Sequence, residues 1–173
     1  MLNLSEHQAL YQISEDFDSL PVAAMVVAKY ILHQRNQQSR ETTPLDLLKL
    51  VDLAHGWFLG IYGNPLIQEA VYAWPYGPVV PVIYETFRSY RGDPIDLVPA
   101  NNCNDLDSKQ RAVIDETLRV YGDLSSWQLS AITHQPGSPW DQVSSMNLGL
   151  WSIIPNSLIQ EHYAGLYEGQ YAN

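Results

Sequence analysis

Apolar residues recur at three- and four-residue spacing over most of the chain, which is typical of helices that bury one face. The strongest such pattern is "TTPLDLLKLVDLAHGWFLGIYGNP", in which Thr43 can cap a helix, Pro44 suits its first turn and Gly63 can end it. At about 1.5 Å per residue this helix would be nearly 30 Å long. Because it is apolar on most sides, we expect it to be the central helix of the fold.

Further helices are predicted on both sides of the central one, from helical spacing together with capping or terminating residues. They begin near Pro21, Pro78 or Pro81, Asp107 or Ser108, Ser125, and Pro155. Around residues 65–75, β-branched and aromatic residues favour a short hairpin or an extended connection. The expected fold is mainly α, a compact single-domain bundle of six to seven helices with one short extended segment.

The stretch "WPYGPVVP" at residues 74–81 is punctuated by three prolines and one glycine. Proline fixes φ and lacks a backbone donor, so this stretch cannot be the middle of a helix or of a central strand. Gly77 can adopt a backbone conformation that other residues avoid. We expect a rigid corner that sets the direction of the next helix and presents aromatic side chains.

Composition favours one domain that needs neither disulfides nor a metal to fold. A chain of 173 residues buries roughly two thirds of the surface that its unfolded form exposes. Cys103 is the single cysteine, which excludes an intramolecular disulfide and a cysteine-rich zinc site. No secretory leader or membrane-spanning apolar run is evident, so a cytoplasmic protein without membrane contact is expected.

The chain is acidic, with nine Lys and Arg against nineteen Asp and Glu and a formal net charge of -10. The negative electrostatic field of such a chain repels phosphate backbones, which disfavours direct nucleic-acid binding. It would speed association with a basic protein, although plain solubility also explains it. Eleven Tyr and five Trp are more aromatic residues than a small inert domain requires, and aromatic side chains are frequent interface anchors.

Few polar residues are placed for chemistry. Lys49, Asp52 and His55 follow one stripe of the central helix, where a carboxylate beside an imidazole could orient a general base. The alternatives are an exposed stripe with weak ion pairing and a satisfied polar pair in the core. His134 has no nucleophile elbow or acidic third member near it in sequence. Since metal-ligand spacings and phosphate-binding glycine patterns are also missing from the sequence, we predict no catalytic residue, metal or cofactor.

Four segments together follow the pattern of one known family. They are "AKYIL" at 28–32, "TPLDLLKLVDLAHGWFLGIYGNPL" at 43–66, "AWPYGPVVPVIYETF" at 73–87 and "LSAITHQPGSPW" at 129–140. In these segments the chain resembles the Panacea domain, typified by SocA-like and GepA-like proteins. The likeness covers most of residues 22–165. The pair at 51–52 departs from the larger apolar or aromatic pair that is usual there, and residues 1–20 precede the usual start.

The resemblance implies an antitoxin that neutralises a cognate toxin, encoded by a neighbouring gene, through direct binding. Some members of the family are proteolytic adaptors that deliver a toxin to a AAA+ protease. The family also occurs in prophages, which adds a counter-defence protein to the alternatives. We expect residues 21–170 to form the Panacea domain and residues 1–20 to be an N-terminal extension.

Two sets of residues are expected to matter. The partner-binding set combines the corner with the polar stripe: Trp74, Tyr76, Gly77, Pro78, Lys49, Asp52 and His55. The second set belongs to the downstream family hallmark and is expected to be structural: Thr133, His134, Pro139 and Trp140. An enzyme remains an alternative, and it requires Asp52, His55 and His134 to converge in one cleft.

Overall fold

The computed structural model describes residues 19–97, 99–100, 103–146 and 149–171. Within them the helices are α1 (Ala24–Gln37), α2 (Pro44–Tyr62), α3 (Pro81–Phe87), α4 (Ser108–Tyr121), α5 (Ser126–Thr133), α6 (Pro139–Ser145) and α7 (Asn156–Tyr171). The strands are β1 (Val71–Trp74), β2 (Gly77–Val79) and β3 (Ile153–Ile154), and short 3-10 turns span Arg88–Tyr90 and Cys103–Asp105. The prediction of a mainly α fold is confirmed. The predicted N-terminal extension lies outside the described residues, apart from its last two.

Helix α2 is the central helix, as its apolar pattern predicts. Fourteen of its nineteen residues are buried, because α1, α4, α5 and α7 pack around it and β2 covers part of its first half. Its start is a capping box, in which the Asp46 N–H donates to Thr43 Oγ1 at 3.2 Å and the Thr43 N–H donates to the Asp46 carboxylate at 2.9 Å. Its end at Gly63 has a φ of 72°, the left-handed conformation that favours glycine.

The first helix begins later than the sequence predicts. Pro21 was expected in its first turn, but α1 starts at Ala24. The Val22 N–H donates to Leu66 O at 3.0 Å and Val22 O accepts from the Gln68 N–H at 2.9 Å. This pairing holds the chain extended ahead of the helix, which delays the first helical turn.

The seven helices of the described residues agree with the predicted number, and two downstream elements were not among the predicted ones. Helix α6 is not among the predicted helices, and it forms because Ser138 caps it and Pro139 occupies its first turn. The last helix, Asn156–Tyr171, begins one residue after the expected Pro155. The short strand β3 was not predicted, and a two-residue strand leaves too little alternation to detect.

The corner at residues 74–81 folds as a hairpin that joins a small antiparallel sheet of strand order β2-β1-β3. Trp74 pairs with Gly77 and Ala73 pairs with Pro78. Gly77 has a φ of 107°, and a Cβ atom there would come within 3.0 Å of Lys49 Nζ. Glycine is therefore required both by the backbone conformation and by the side chain beneath it.

Helix α7 approaches α2 closely through two glycines. A Cβ atom at Gly56 would lie within 3.0 Å of the Tyr163 ring, and one at Gly60 would lie as close to the backbone of Tyr163 and Ala164. The absence of side chains at these two positions lets Tyr163 bury its ring, with an edge-to-face contact to Trp57 at 5.2 Å between centroids. The C-terminal helix is thereby fixed against the central one.

Candidate functional site

A wide groove opens between the first half of α2, the β1–β2 hairpin, α3 and α5. Its volume is about 790 Å³. The walls are mainly apolar and are formed by Pro44, Leu45, Leu48, Trp74, Pro75, Val79, Tyr84 and Ala131. We call it the aromatic groove, because its wall and rim carry five of the chain's aromatic side chains.

Three of these aromatic residues are exposed at the rim. Tyr76 is 83% exposed, Trp127 82% and Trp151 60%. Trp151 contacts Trp74 with 5.0 Å between ring centroids, and Trp74 contacts Tyr84 at 4.9 Å. Exposed aromatic side chains grouped around an apolar depression are typical of binding surfaces.

Four of the side chains that line the groove are basic. They are Lys49, Arg88, Arg91 and His134. Among the described residues that line the groove, none is Asp or Glu. The site is thus locally basic in a chain whose net charge is -10.

Lys49 lies at the floor of the groove, beneath the hairpin. Its side chain has no exposed surface, and Nζ donates to Tyr76 O at 2.9 Å and to Pro78 O at 3.3 Å. Burial lowers the pKa of the Lys49 amine, since the charged form loses its hydration. These bonds hold the tip of the hairpin in place, and Tyr76 is presented from that tip.

Asp52 and His55 continue from Lys49 into the core. Burial raises the pKa of Asp52, and the nearby Lys49 opposes this shift. The ring of His55 has no exposed surface, and its Nε2 lies 3.1 Å from Asn156 Oδ1. Burial lowers the pKa of His55 to about 4, so its imidazole is neutral at pH 7. All three side chains are buried, which is not the exposed stripe that was one of the alternatives. We call Lys49, Asp52 and His55 the polar column.

The downstream hallmark connects α5 and α6 to the hairpin. His134 Nδ1 donates to Ser130 O at 2.6 Å, and the His134 ring packs on Trp140 at 4.2 Å between centroids. Trp140 Nε1 in turn donates to Trp74 O at 2.8 Å.

The turn between these two helices is closed by further hydrogen bonds. The Thr133 hydroxyl donates to Ser130 O at 3.0 Å, and the Ser138 hydroxyl donates to Thr133 O at 3.0 Å. Pro139 occupies the first turn of α6. Such contacts suit the structural role expected of this set, and that role stays a prediction.

Comparison with known proteins gives the family. Residues 47–141 match the family model described as "Antitoxin SocA-like, Panacea domain". The chain belongs to this family. The curated protein Antitoxin SocA of Caulobacter vibrioides (strain NA1000 / CB15N) is 30% identical to it over 159 residues, which cover 84% of this chain and 85% of that protein. No solved structure gives a significant match. The resemblance inferred from the sequence segments is confirmed.

The rim of this Panacea domain contains residues that sequence reasoning missed. In α5, Leu129 and Thr133 are buried, and Trp127 lies on the opposite side of the helix. The helical phase of this short helix therefore carried a usable signal. Trp151 has a φ of 74°, and nothing in its sequence context indicated its place beside Trp74.

The structure does not bring the three candidate catalytic residues into one cleft. His134 lines the aromatic groove, whereas Asp52 lines a second cavity of about 50 Å³ and His55 is sealed in the core. Within the described part of the chain, no three His, Cys, Asp or Glu side chains are grouped so as to hold a metal ion. Among those same residues, no helix combines the length and apolarity needed to cross a membrane.

Proposed function

We propose that this protein is an antitoxin that neutralises a cognate toxin by binding it directly in the cytoplasm, without chemistry of its own. The observation that carries the proposal is the 30% identity to Antitoxin SocA over 84% of this chain, in a chain that belongs to the same family. The toxin would be the product of a neighbouring gene. We assign the binding to the Panacea domain, residues 21–170, with residues 1–20 as an extension.

The predicted partner-binding residues divide by exposure into two groups. Tyr76 and part of Trp74 are accessible at the hairpin, where aromatic side chains can anchor a protein partner. Lys49 and His55 have no exposed surface, and Asp52 is 8% exposed. In this proposal the polar column supports the hairpin from within, while the rim makes the contact.

The test is co-expression of the protein with the product of its neighbouring gene, scored by growth and by co-purification. Restored growth with a stable complex supports the proposal. Tyr76→Ala is expected to weaken the complex, and Leu166→Ala is the matched control, since Leu166 is a 44% exposed apolar residue on α7, away from the groove. A toxic neighbour that is neither bound nor counteracted would contradict the proposal.

The same cells separate neutralisation by binding from delivery to a protease. If growth is restored without co-purification, the half-life of the toxin is measured with and without an active AAA+ protease. A toxin that disappears only when the protease is active would replace direct neutralisation by the adaptor alternative. An unchanged toxin half-life excludes the adaptor.

A further inference from the structure

We propose that the aromatic groove receives a short segment of the partner in which apolar side chains flank an Asp or Glu side chain. The identity of the partner rests on the proposed function, whereas the chemistry of the segment is argued from the groove alone. The occupant is therefore defined by two properties, its apolar character and its negative charge.

The charge of the groove is opposite to that of the chain. Three of the nine Lys and Arg residues line it, and none of the described lining residues is Asp or Glu, although the chain has nineteen of these. The net charge of the chain therefore repels a carboxylate, while the basic lining of the groove attracts one. Complementary local charge of this kind fixes the position of a partner and excludes wrong ones.

Two of the four basic side chains are already engaged inside the protein, and burial lowers the pKa of His134. Lys49 Nζ donates to the carbonyls of the hairpin, and His134 Nδ1 donates to Ser130 O. Neither is placed to serve as the main contact for an incoming carboxylate.

The two arginines at the mouth of the groove are exposed and accessible to a partner. Arg88 forms a surface ion pair with Glu85 at 3.1 Å, of the kind that contributes little. Among the described residues, Arg91 forms no ion pair. A guanidinium binds a carboxylate through two parallel hydrogen bonds, so the pair offers the chemistry that an acidic side chain requires.

The rest of the groove fits apolar side chains. Its volume of about 790 Å³ lies within the range of sites that hold a ligand of a few residues. Trp127 and Tyr76 stand on opposite elements, α5 and the hairpin, and both are more than four fifths exposed. Trp, Tyr and Arg are the residue types most often found at energetic centres of interfaces, and all three are present at this rim.

This inference differs from what net charge alone indicates. The overall charge of -10 favours association with a basic partner. The groove instead selects an acidic and apolar segment, which a protein of either net charge can carry. The local preference therefore determines the sequence of the docking segment and leaves the net charge of the partner open.

The test uses short random peptides displayed on phage and selected on the full-length protein. We expect the selected peptides to contain Asp or Glu beside aromatic or aliphatic residues. Their affinity should fall about tenfold or more when Arg88→Glu and Arg91→Glu are combined. Replacing the peptide carboxylate by lysine should restore binding to this double variant. Trp127→Ala should weaken every selected peptide.

Arg119→Glu is the control for reversing one surface arginine and is matched to Arg88→Glu. Arg119 pairs with Glu116 three residues earlier on α4, as Arg88 pairs with Glu85, and it is similarly exposed. The control should bind the selected peptides as the unchanged protein does. Urea midpoints of all variants, measured in parallel, show that each one is folded.

Three results would overturn the inference: selected peptides that are basic or uncharged, acidic peptides that bind the double variant undiminished, or no enrichment at all. The groove and the antitoxin function can be refuted independently of each other. A toxin complex insensitive to the charge reversal would leave the antitoxin function and remove the groove as its docking site. Acidic peptides that require Arg88 and Arg91, with no toxin bound, would leave the groove and remove the antitoxin function.

Discussion

Replacing His55 by glutamine is expected to change how the stability of the protein depends on pH. The ring is fully buried, and the Nε2 atom lies 3.1 Å from Asn156 Oδ1. Among the described residues, its Nδ1 atom has no hydrogen-bond partner. Burial therefore lowers the pKa of His55 from 6.5 to about 4. Glutamine keeps an amide donor for Asn156 and does not titrate.

The sign and size of the effect follow from the two pKa values. Because the pKa of His55 is lower in the folded state, the unfolded chain binds more protons between pH 6.5 and pH 4, and the free energy of unfolding falls as the pH falls through this window. At about 1.4 kcal/mol per pKa unit, the titration of His55 lowers the free energy of unfolding by about 3 kcal/mol when the pH falls from 7 to 4. Asp52 acts in the opposite direction, since burial raises its pKa and the folded state takes up its proton first.

The measurement is urea unfolding followed by tryptophan fluorescence at several pH values between 7 and 4. Between pH 7 and pH 4 the free energy of unfolding of His55→Gln should fall by about 3 kcal/mol less than that of the unchanged protein, whatever the stability of the variant at pH 7. Asp52→Asn is the control of opposite sign and should lose more than the unchanged protein. Parallel curves for His55→Gln and the unchanged protein would refute the reasoning, because they would show that the ring binds a proton equally well in both states.

Three further substitutions and one control variant test the packing against α2. Gly60→Ala should lower the free energy of unfolding in urea by at least about 2 kcal/mol, because its Cβ atom would collide with the backbone at Tyr163. The control is Gly165→Ala, whose Cβ atom would meet nothing within 4 Å and which should stabilise α7 by up to about 1 kcal/mol. Equal effects of the two substitutions would contradict the close approach of α7 to α2. Gly77→Ala should cost about 2 kcal/mol or more, from its φ of 107° and its contact with Lys49, and a neutral effect would show that the hairpin can rearrange. Lys49→Met should lower the free energy of unfolding by about 2 kcal/mol, because the carbonyls of Tyr76 and Pro78 lose their charged donor. Removing a buried charge acts in the opposite direction, so a more stable variant would mean that the desolvation cost of the Lys49 amine outweighs its two hydrogen bonds.

Helix ends were predictable where capping chemistry is local. Thr43 caps α2 as predicted, Asp107 caps α4, and Gly63 ends α2 in the left-handed conformation. Each of these signals lies within a few residues of the end that it marks. The start of α1 was missed because residues more than forty positions away hold Val22 extended.

The candidate site was predictable only in part. The corner containing Tyr76 was recognised, because its prolines and glycine act on their own backbone. The burial of Lys49 and His55 was not predicted. Helix α2 is apolar on most sides, so the spacing of its apolar residues does not show which side of the helix the other elements cover. Arg91 and Trp127 line the same groove because separate elements pack around α2, which no local pattern determines.

The hydrogen bonds of Lys49 also shield one edge of the small sheet. Strand β2 is an edge strand, and edges with free backbone groups can recruit a strand from another molecule. Here Pro78 has no N–H to offer, and the carbonyls of Pro78 and Tyr76 accept from Lys49 Nζ. A partner therefore cannot extend the sheet along β2 and has to be recognised through side chains. The same arrangement protects this border against edge-to-edge aggregation while leaving Tyr76 exposed for binding.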